Sequence, residues 1–447
     1  MTVEPSPQLA LQEGTNEYWL QLDQEYRLQT RYTAPTVLDR GEGVRLWDVE
    51  GNEWIDFESG QVCVSTGHCH PRLVEAIAEQ SRRLMQTGSC FTDVPQILLA
   101  KKLAELTPGA LKKSFFACTG NESNEVALRM AKTVTGRHEV AALLKGYHGM
   151  SAGAWSLTGF GGYYREHYGP GLPGIVHLPP PYEYRCPFAD CRGGCQLKCA
   201  KYAEFQLDNS TSGRPAAIFV EVVMSAGGMI VLPPQYLREL RRICDERGAL
   251  LIVDEAQTGI GRSGRWFGCD HYDVQPDVML MSKSLGGGVP LSAVTVTSEV
   301  ATSLEMKGYY QSSSHTGDPL LCAAGLANIE IIETERLVEN AAAMGRYLVD
   351  GFAAIQRRYP ILGDVRGLGL LIGVEVVEEG GERAPSPRRA GIISSYCRDN
   401  GLFVGHHARG VVGGNVIRIL PPLTLTRAEA DAALAIFERG VALAFED

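Results

Sequence analysis

The sequence has no apolar stretch that approaches the roughly 20 residues an α-helix needs to span a bilayer. Its first residues contain neither the basic segment nor the apolar segment of a signal peptide. We therefore expect a protein that does not cross a membrane, and we predict a cytoplasmic location. The formal net charge is −10. This excess of negative charge argues against nucleic acid or an anionic membrane as the main partner.

The composition is that of a globular protein large enough for two domains. The chain has 447 residues, of which 45% are hydrophobic, so it can bury a large core. No internal repeat is evident. In a cytoplasm the 12 cysteines are expected to be reduced thiols. Many of the 50 glycines lie near the ends of predicted strands, where a backbone turns sharply or approaches a ligand.

Short apolar runs alternate with amphipathic helical patterns from about residue 113 to residue 297. This order predicts βαβ units and therefore a mostly parallel sheet with helices on both faces, an α/β fold. The predicted strands are 114–117, 139–144, 216–223, 249–254, 278–282 and 292–297.

The remaining segments predict a smaller α+β domain. Its expected parts are a partly helical arm (1–35), a hairpin (47–57), one long helix (320–359), a Gly-rich segment (363–377), a helix (389–400), a strand (416–420) and a last helix from 426. The predicted division is 1–75 for the arm and part of the small domain, 76–329 for the large domain and 330–447 for the rest of the small domain.

Lys283 and Asp254 each follow a short apolar run that is typical of a buried parallel strand. In an open α/β sheet such residues meet in the crevice at the carboxyl ends of the strands. An enzyme that uses pyridoxal phosphate (PLP) needs this pair: the lysine forms a Schiff base with the aldehyde, and the carboxylate keeps the pyridine nitrogen protonated. Separately, a solvated lysine and a helix-capping aspartate are the commoner interpretations. Three glycines directly after Ser284-Leu285, and Gln257 close after Asp254, favour the cofactor site.

Two further segments fit the same site. Gly120 and Asn121 follow a predicted strand and open a helix, whose amino end attracts phosphate; alone, this signal is weak. Tyr147 and His148 follow the next strand, where an aromatic ring can lie on the cofactor or simply be half buried. Gln257 is placed to bond the phenolic oxygen of the cofactor.

The chain resembles the class III (subgroup II) PLP-dependent aminotransferases of fold type I. The resemblance covers nearly the whole chain and implies a large PLP-binding domain and a smaller α+β domain. The matching runs are Gly-His-Cys-His-Pro at 67–71, Thr-Gly-Asn-Glu-Ser-Asn-Glu at 119–125, Tyr-His-Gly at 147–149, Asp-Glu-Ala-Gln-Thr-Gly-Ile-Gly-Arg at 254–262, Ser-Lys-Ser-Leu-Gly-Gly-Gly-Val-Pro-Leu-Ser at 282–292, Gly-Asp-Val-Arg-Gly-Leu-Gly at 363–369 and Arg-Ile-Leu-Pro-Pro-Leu-Thr at 418–424.

The resemblance also implies roles for single residues. Gln61 lies in a segment similar to that of the 2,2-dialkylglycine decarboxylases of this family, where it would contact the carboxylate that is lost. Arg418 would pair with a substrate carboxylate, for which a planar guanidinium is suited. Glu221 would lie near the cofactor's hydroxyl group, and His148 is a predicted cofactor-binding residue. Ser314 would reach the cofactor phosphate of a partner subunit, which implies a homodimer with shared active sites; a tetramer of two such dimers stays open as the alternative.

The expected function is transfer of an amino group from an amine or amino acid to a small 2-oxo acid such as pyruvate, with or without decarboxylation. Two alternatives remain open: an amino-acid racemase, epimerase or amine lyase on the same fold, and a non-catalytic binding protein. Cys186, Cys191, Cys195 and Cys199 form an insert that could hold zinc as thiolates. Their spacing matches no zinc ribbon, so we expect reduced thiols and no metal.

Overall fold

A computed structural model of the chain describes residues 13–30, 34–88, 90–166, 168–188, 191, 194–380, 383–406 and 414–447. The helices are α1 (Asn16–Tyr26), α2 (Ser59–Val62), α3 (Pro71–Ser81), α4 (Val94–Leu106), α5 (Gly120–Thr135), α6 (Ala152–Leu157), α7 (Lys198–Ser210), α8 (Tyr236–Arg247), α9 (Ser298–Met306), α10 (Pro319–Thr334), α11 (Leu337–Arg358), α12 (Pro387–Asp399) and α13 (Arg427–Glu446). The strands are β1 (Leu38–Glu42), β2 (Arg45–Asp48), β3 (Glu53–Phe57), β4 (Leu111–Ala117), β5 (Val140–Leu143), β6 (Ile175–Leu178), β7 (Ala217–Glu221), β8 (Val223–Met224), β9 (Ile230–Val231), β10 (Leu250–Asp254), β11 (Val278–Met281), β12 (Ser292–Thr297), β13 (Leu362–Leu368), β14 (Leu371–Val376), β15 (Leu402–His406) and β16 (Val416–Ile419). Within these ranges no helix meets the length and apolarity that a membrane crossing requires.

One seven-stranded sheet, called the larger sheet because it lies in the predicted large domain, has the strand order β4-β12-β11-β10-β7-β5-β6. The run from β11 to β6 is parallel, whereas β12 is antiparallel to both of its neighbours. The prediction of a mostly parallel sheet is therefore confirmed. The edge strand β6 was not predicted.

Helices cover both faces of this sheet. Because side chains alternate along a strand, Ile218 and Val220 of β7 pack in one apolar cluster with Leu240 of α8, whereas Phe219 packs in another with Val126 of α5. Burial on both faces explains why these strands are continuous apolar runs. The arrangement confirms the α/β fold.

A second sheet, also of seven strands and called the smaller sheet because it lies in the predicted small domain, joins both ends of the chain in the order β1-β2-β3-β15-β16-β14-β13. The predicted hairpin at 47–57 is present: β2 and β3 are antiparallel, and Gly51 in the turn has φ 84°. The parallel pair β3–β15 brings the amino-terminal strands beside the carboxyl-terminal ones. The domain boundaries stay a prediction; the one between 329 and 330 falls inside α10.

The prediction of one helix over 320–359 is wrong. The helix is interrupted between α10 and α11, where Arg336 has φ 54°. The two helices pack on different partners, because α10 lies against α3 and α4 whereas α11 lies against β13 and β14. The break contains neither glycine nor proline, so the sequence carries no local signal for it.

Two strand predictions also need correction. The strand predicted at 216–223 ends at Glu221, and the chain then bends so that β8 pairs with β9. No strand is predicted between the helix at 389–400 and the strand at 416–420, but β15 lies there; its last residue is His406, whose Nε2 lies 2.7 Å from the carbonyl oxygen of Gly414. Its neighbour His407 lies outside the described residues.

Candidate active site

Asp254 and Lys283 lie at the same end of the larger sheet, where its parallel strands have their carboxyl ends. This end of the sheet is called the edge below. Asp254 is the last residue of β10, and Lys283 follows the end of β11 by two positions. These strands are parallel neighbours, with Asp254 opposite Leu280. Lys283 has φ 47°, a left-handed conformation that a residue other than glycine keeps only when its surroundings impose it. The structure therefore places both residues at one edge, and their chemical roles remain predictions.

The Asp254 carboxylate is buried among hydrogen-bond donors. Its Oδ2 accepts hydrogen bonds of 2.9 Å from Asn124 Nδ2 and from His148 Nδ1, and its Oδ1 accepts one of 3.1 Å from the N–H of Ala256. Burial raises the pKa of this carboxyl, but the hydrogen bond and charge of His148, with the other donors, outweigh burial and leave the pKa of Asp254 below its ordinary value. Asp254 is thus ionised at neutral pH.

His148 lies close to a second carboxylate, that of Glu221. A Cβ added to Gly146 would lie 3.3 Å from His148 Nε2 and 3.7 Å from Glu221 Oε1, so both groups border this glycine. Burial lowers the pKa of His148, but Asp254 more than offsets that effect, and the pKa lies above its ordinary value. The two carboxylates therefore favour a protonated imidazole.

Glu221 ends β7, the strand next to β10, and accepts a hydrogen bond of 2.6 Å from the N–H of Tyr147. Burial raises the pKa of Glu221 to about 7; the charge of His148 opposes this shift, and that of Asp254 adds to it. The carboxyl group therefore titrates near neutral pH.

We expect Glu221→Gln to flatten the pH dependence of thermal stability between about pH 4.5 and pH 7. In this window the folded protein keeps a proton that the unfolded chain has released, so raising the pH disfavours the folded state. The stabilisation is complete below the unfolded pKa and is lost as the pH rises through about 7. Melting temperatures of both proteins across this range measure the difference. Parallel curves for the two proteins would contradict the raised pKa, and Glu53→Gln, at the exposed first residue of β3, is the control.

The turn from β4 into α5 forms an amino-terminal helix end beside Lys283. Thr119 Oγ1 accepts a hydrogen bond of 3.2 Å from the N–H of Glu122, whose Oε2 accepts one of 2.9 Å from the N–H of Thr119. The first amides of a helix have no intrahelical partner and attract phosphate. A Cβ added to Gly120 would lie 3.4 Å from the Cβ of Ser282, so this helix end directly adjoins the turn that carries Lys283.

Asn121 and Tyr147 shape the loop that follows β5. Asn121 Oδ1 accepts hydrogen bonds from the N–H groups of Met150 (2.7 Å) and Ser151 (2.8 Å), so its oxygen holds this loop. The ring centroid of Tyr147 lies 6.0 Å from that of Phe160. Burial raises the pKa of the Tyr147 phenol to about 12. Cofactor contacts of Asn121 and Tyr147 stay predictions.

Gln61 lies in α2, whose residues form a left-handed turn and not an α-helix. Residues 59–62 have φ values of 49°, 52°, 64° and 68°, which costs roughly 1–2 kcal/mol for each residue other than glycine. The Asp56 carboxylate accepts the N–H groups of residues 58, 59 and 60. The fully buried Arg262 donates to Ser59 Oγ (3.4 Å) and to the carbonyl of Pro421. Strain that is imposed in this way is typical of functional sites.

The left-handed turn packs directly on the turn that carries Lys283. Ser284 Oγ donates a hydrogen bond of 3.2 Å to the carbonyl of Val62 and accepts one of 2.6 Å from Ser65 Oγ. Gln61 itself is exposed. The smaller domain thus presents Gln61 next to the edge where Asp254 and Lys283 lie.

Arg418 and Ser314 lie in very different surroundings. Arg418, in β16, is largely buried, and its Nη2 donates a hydrogen bond of 3.0 Å to Glu58 Oε1. Burial lowers the pKa of this guanidinium, and Glu58 opposes the shift. Ser314 is exposed, and its carbonyl accepts a hydrogen bond of 2.9 Å from Gln86 Nε2; no contact in the described part of the chain joins it to Asp254.

Sequence reasoning missed three residues that shape this site: Asn124, Glu58 and Arg262. Asn124 lies one helical turn after Gly120, so it faces the same edge, and this spacing was a usable signal. Glu58 and Arg262 carried no such signal, because their partners are distant in the chain.

The cysteine insert contains free thiols, of which Cys191 and Cys199 are buried. Burial raises the pKa of the Cys191 thiol to about 11 and that of Cys199 to about 12. Among the residues that the structure describes, no group of three or more potential ligands is arranged to hold a metal ion.

The fold places Lys283 and the buried Asp254 carboxylate at one edge of the sheet. This arrangement defines the class of enzymes that use PLP. The aminotransferase class-III family model matches residues 28–441, so the chain belongs to that family. An uncharacterised aminotransferase of Schizosaccharomyces pombe is 38% identical over 91% of this chain and 90% of its own length. A leucine/methionine racemase of Thermococcus litoralis is 37% identical over 92% and 91%. The omega transaminase of Pseudomonas jessenii, solved in complex with PMP, has a TM-score of 0.88 and 27% identity, covering 95% of this chain and 98% of that one.

PLP is the cofactor of this family, and the residues at the edge fit it. Gln257 Oε1, Asn124 Oδ1 and His148 Nε2 are buried polar atoms with no hydrogen-bond partner among the described residues. Buried polar atoms normally have a hydrogen-bond partner. A polar ring bound at this edge would supply partners for these atoms. The amino end of α5 supplies the place for its phosphate.

Proposed function

We propose that this protein is a transaminase that moves an amino group from an amine or amino acid to a small 2-oxo acid such as pyruvate. The observation that carries the proposal is that Asp254 and Lys283 lie at one edge of the larger sheet, against the turn that carries Gln61. When bound, PLP withdraws electrons from the α-carbon of a substrate amine. Family membership and the transaminase relatives support this chemistry.

Each residue then has a distinct task. Lys283 holds the cofactor and, once released, moves the proton at the substrate α-carbon. Asp254, ionised and buried, keeps a proton on the ring nitrogen. Arg418 binds the substrate carboxylate through paired hydrogen bonds. Gln61 orients the group whose bond to the α-carbon breaks, and a carboxylate held there would be lost as carbon dioxide.

A racemase or epimerase is the second candidate, because the Thermococcus litoralis relative carries that name at 37% identity. In such an enzyme Lys283 would return the proton to the opposite side of the α-carbon, and no oxo acid would be needed. An amine lyase would likewise turn over without an acceptor, and a non-catalytic binding protein would convert no amine.

A screen of amines and amino acids with and without pyruvate tests the function. Alanine formed only when donor and pyruvate are both present would support the transaminase, whereas turnover without pyruvate would favour the racemase or lyase. Carbon dioxide released from 2-aminoisobutyrate together with alanine would identify the decarboxylating form. Absence of any conversion by cofactor-loaded protein would contradict the proposal.

We expect Arg418→Ala to raise the KM for pyruvate by about 10- to 100-fold, the value of a charged hydrogen bond. Because Arg418 is proposed to bind substrate and not cofactor, the affinity for PLP should hardly change. Steady-state kinetics and a cofactor titration measure the two effects. Arg398→Ala, on the exposed end of α12, is the control. An unchanged KM for pyruvate in Arg418→Ala would show that Arg418 does not bind the substrate carboxylate.

The proposal includes a homodimer with shared active sites, in which Ser314 reaches the cofactor phosphate of the partner subunit. An exposed apolar surface supports it, since Phe91, Val94, Ile97 and Leu98 at the start of α4 are all exposed. Light scattering of the purified protein measures the mass; a monomer at micromolar concentration would contradict the shared site.

A further inference from the structure

Two residues that lead into the cysteine insert bind a buried carboxylate of the smaller sheet. This carboxylate belongs to Glu375 in β14, which is only 1% exposed. Its Oε1 accepts a hydrogen bond of 2.5 Å from Arg185 Nε, and its Oε2 accepts one from the hydroxyl group of Tyr182. Arg185 and Tyr182 follow β6 of the larger sheet. One carboxylate therefore fastens the start of the insert to the smaller sheet.

Arg366, in β13, connects the same carboxylate to the turn between β8 and β9. Its Nη1 lies 2.8 Å from Glu375 Oε2, and its Nη2 donates a hydrogen bond of 2.9 Å to the Tyr182 hydroxyl group. Its Nε donates to the carbonyl oxygens of Gly228 (3.1 Å) and Met229 (3.0 Å) in the turn. Burial raises the pKa of Glu375, but the charge of Arg366 and the other donors outweigh burial and leave the pKa below its ordinary value. An ionised, buried network thus joins the smaller sheet to this turn and to the insert.

Arg366 and Arg418 lie in one row of the smaller sheet. Gly373 of β14 pairs with Arg366 of β13 on one side and with Arg418 of β16 on the other. Directly opposed side chains share one face of an antiparallel sheet, so both guanidinium groups lie on that face. A Cβ at position 373 would lie 2.5 Å from the Cβ of Met229, which is fully buried. Met229 therefore packs on the row between the two arginines, and Arg366 holds its carbonyl there.

We infer that Arg185 and Tyr182 are positioning residues for Arg418; the inference rests on the proposed role of Arg418 in binding the substrate carboxylate. By holding Glu375 they fix the guanidinium that supports the turn at Met229, and this turn packs on the strands that carry Arg418. Paired hydrogen bonds to a carboxylate need one orientation of the guanidinium, and a misplacement of about 1 Å can cost about 100-fold in rate. A loosened network should therefore weaken the binding of carboxylates and leave the binding of the cofactor unchanged.

The test is a double-mutant cycle on the cofactor-loaded enzyme with Arg185→Met and Arg418→Ala. Propionate, an unreactive carboxylic acid, is titrated against each protein and followed by cofactor absorbance. We expect Arg185→Met alone to weaken propionate binding about tenfold, which lies within the range of coupling through one network. The KM for pyruvate should rise by a similar factor, while kcat and the affinity for PLP hardly change. In the Arg418→Ala background Arg185→Met should have no further effect, because the group that Arg185 positions is gone.

Two further variants separate positioning from general stability. Arg185→Lys keeps a positive charge within reach of Glu375, so propionate binding should stay within about threefold of that of the unchanged protein. Arg383 contacts the same segment, since its Nη1 donates to the carbonyl oxygen of Tyr184 and its guanidinium lies 4.6 Å from the centroid of that ring. Arg383→Met should lower the melting temperature without changing the affinity for propionate.

Unchanged propionate binding in a folded Arg185→Met protein, an equal loss in Arg383→Met, or a full additional loss in the Arg418→Ala background would overturn the inference. If Arg185→Met does not retain the cofactor, Tyr182→Phe replaces it; it removes one hydrogen bond to the same carboxylate and should weaken propionate binding about threefold. Propionate affinity that is unchanged in Arg418→Ala would contradict the role of Arg418 and the inference together. A coupled cycle in a protein that converts no amine would contradict the proposed function alone.

Discussion

Lys283→Ala is expected to lower turnover by about 10³-fold or more and to abolish covalent attachment of the cofactor. A positioned acid–base group contributes typically about 10²–10⁴-fold, and Lys283 is proposed to hold the cofactor as well as to move the proton. Initial rates measure the first effect. Borohydride reduction followed by peptide mass analysis measures the second, and the cofactor mass should appear on the peptide that contains Lys283.

Lys145 provides a matched control. It follows β5 at the same edge, its Nζ lies 5.7 Å from the ring centroid of Tyr182, and burial lowers its pKa. A lysine with a lowered pKa is a reasonable rival for the aldehyde. We expect Lys145→Met to keep the label on Lys283. A label on Lys145 in the unchanged protein would contradict the assignment.

Asp254→Asn is expected to reduce turnover by about 10²–10³-fold, the usual effect of losing one preorganised electrostatic contact. The amide keeps the shape of the carboxylate but cannot stabilise a proton on the ring nitrogen. The variant should also lower the pKa of His148, because the carboxylate that offsets its burial is gone. Single-turnover rates and the NMR titration of labelled histidine measure the two effects.

A cofactor analogue provides the control for Asp254→Asn. Methylation of the ring nitrogen gives a permanent positive charge that needs no carboxylate to protonate it, so this analogue should restore part of the lost rate. A folded variant that binds the analogue without any recovery would show that Asp254 acts in another way.

Local sequence patterns predicted the larger sheet and much of the candidate site at the carboxyl ends of its strands. Its strands are buried on both faces, so they are apolar runs with polar residues at their ends. Asp254 and Lys283 follow two such runs, and Gly120 opens the helix after a third. Among the strands that were not predicted, β6 and β15 are short and contain histidine or glycine, so their composition resembles that of loops.

The sequence by itself determined the fold class, the cofactor and the Lys283–Asp254 pair, because parallel strands bring residues that end apolar runs to one edge. Only the tertiary structure decided the left-handed turn at Gln61, which Arg262 supports from 203 positions away, and the contact between Glu58 and Arg418 across 360 positions. Such contacts join single residues on separate elements. They leave no periodic pattern in the chain, because their geometry depends on how the two sheets pack and on the register between β3, β15 and β16.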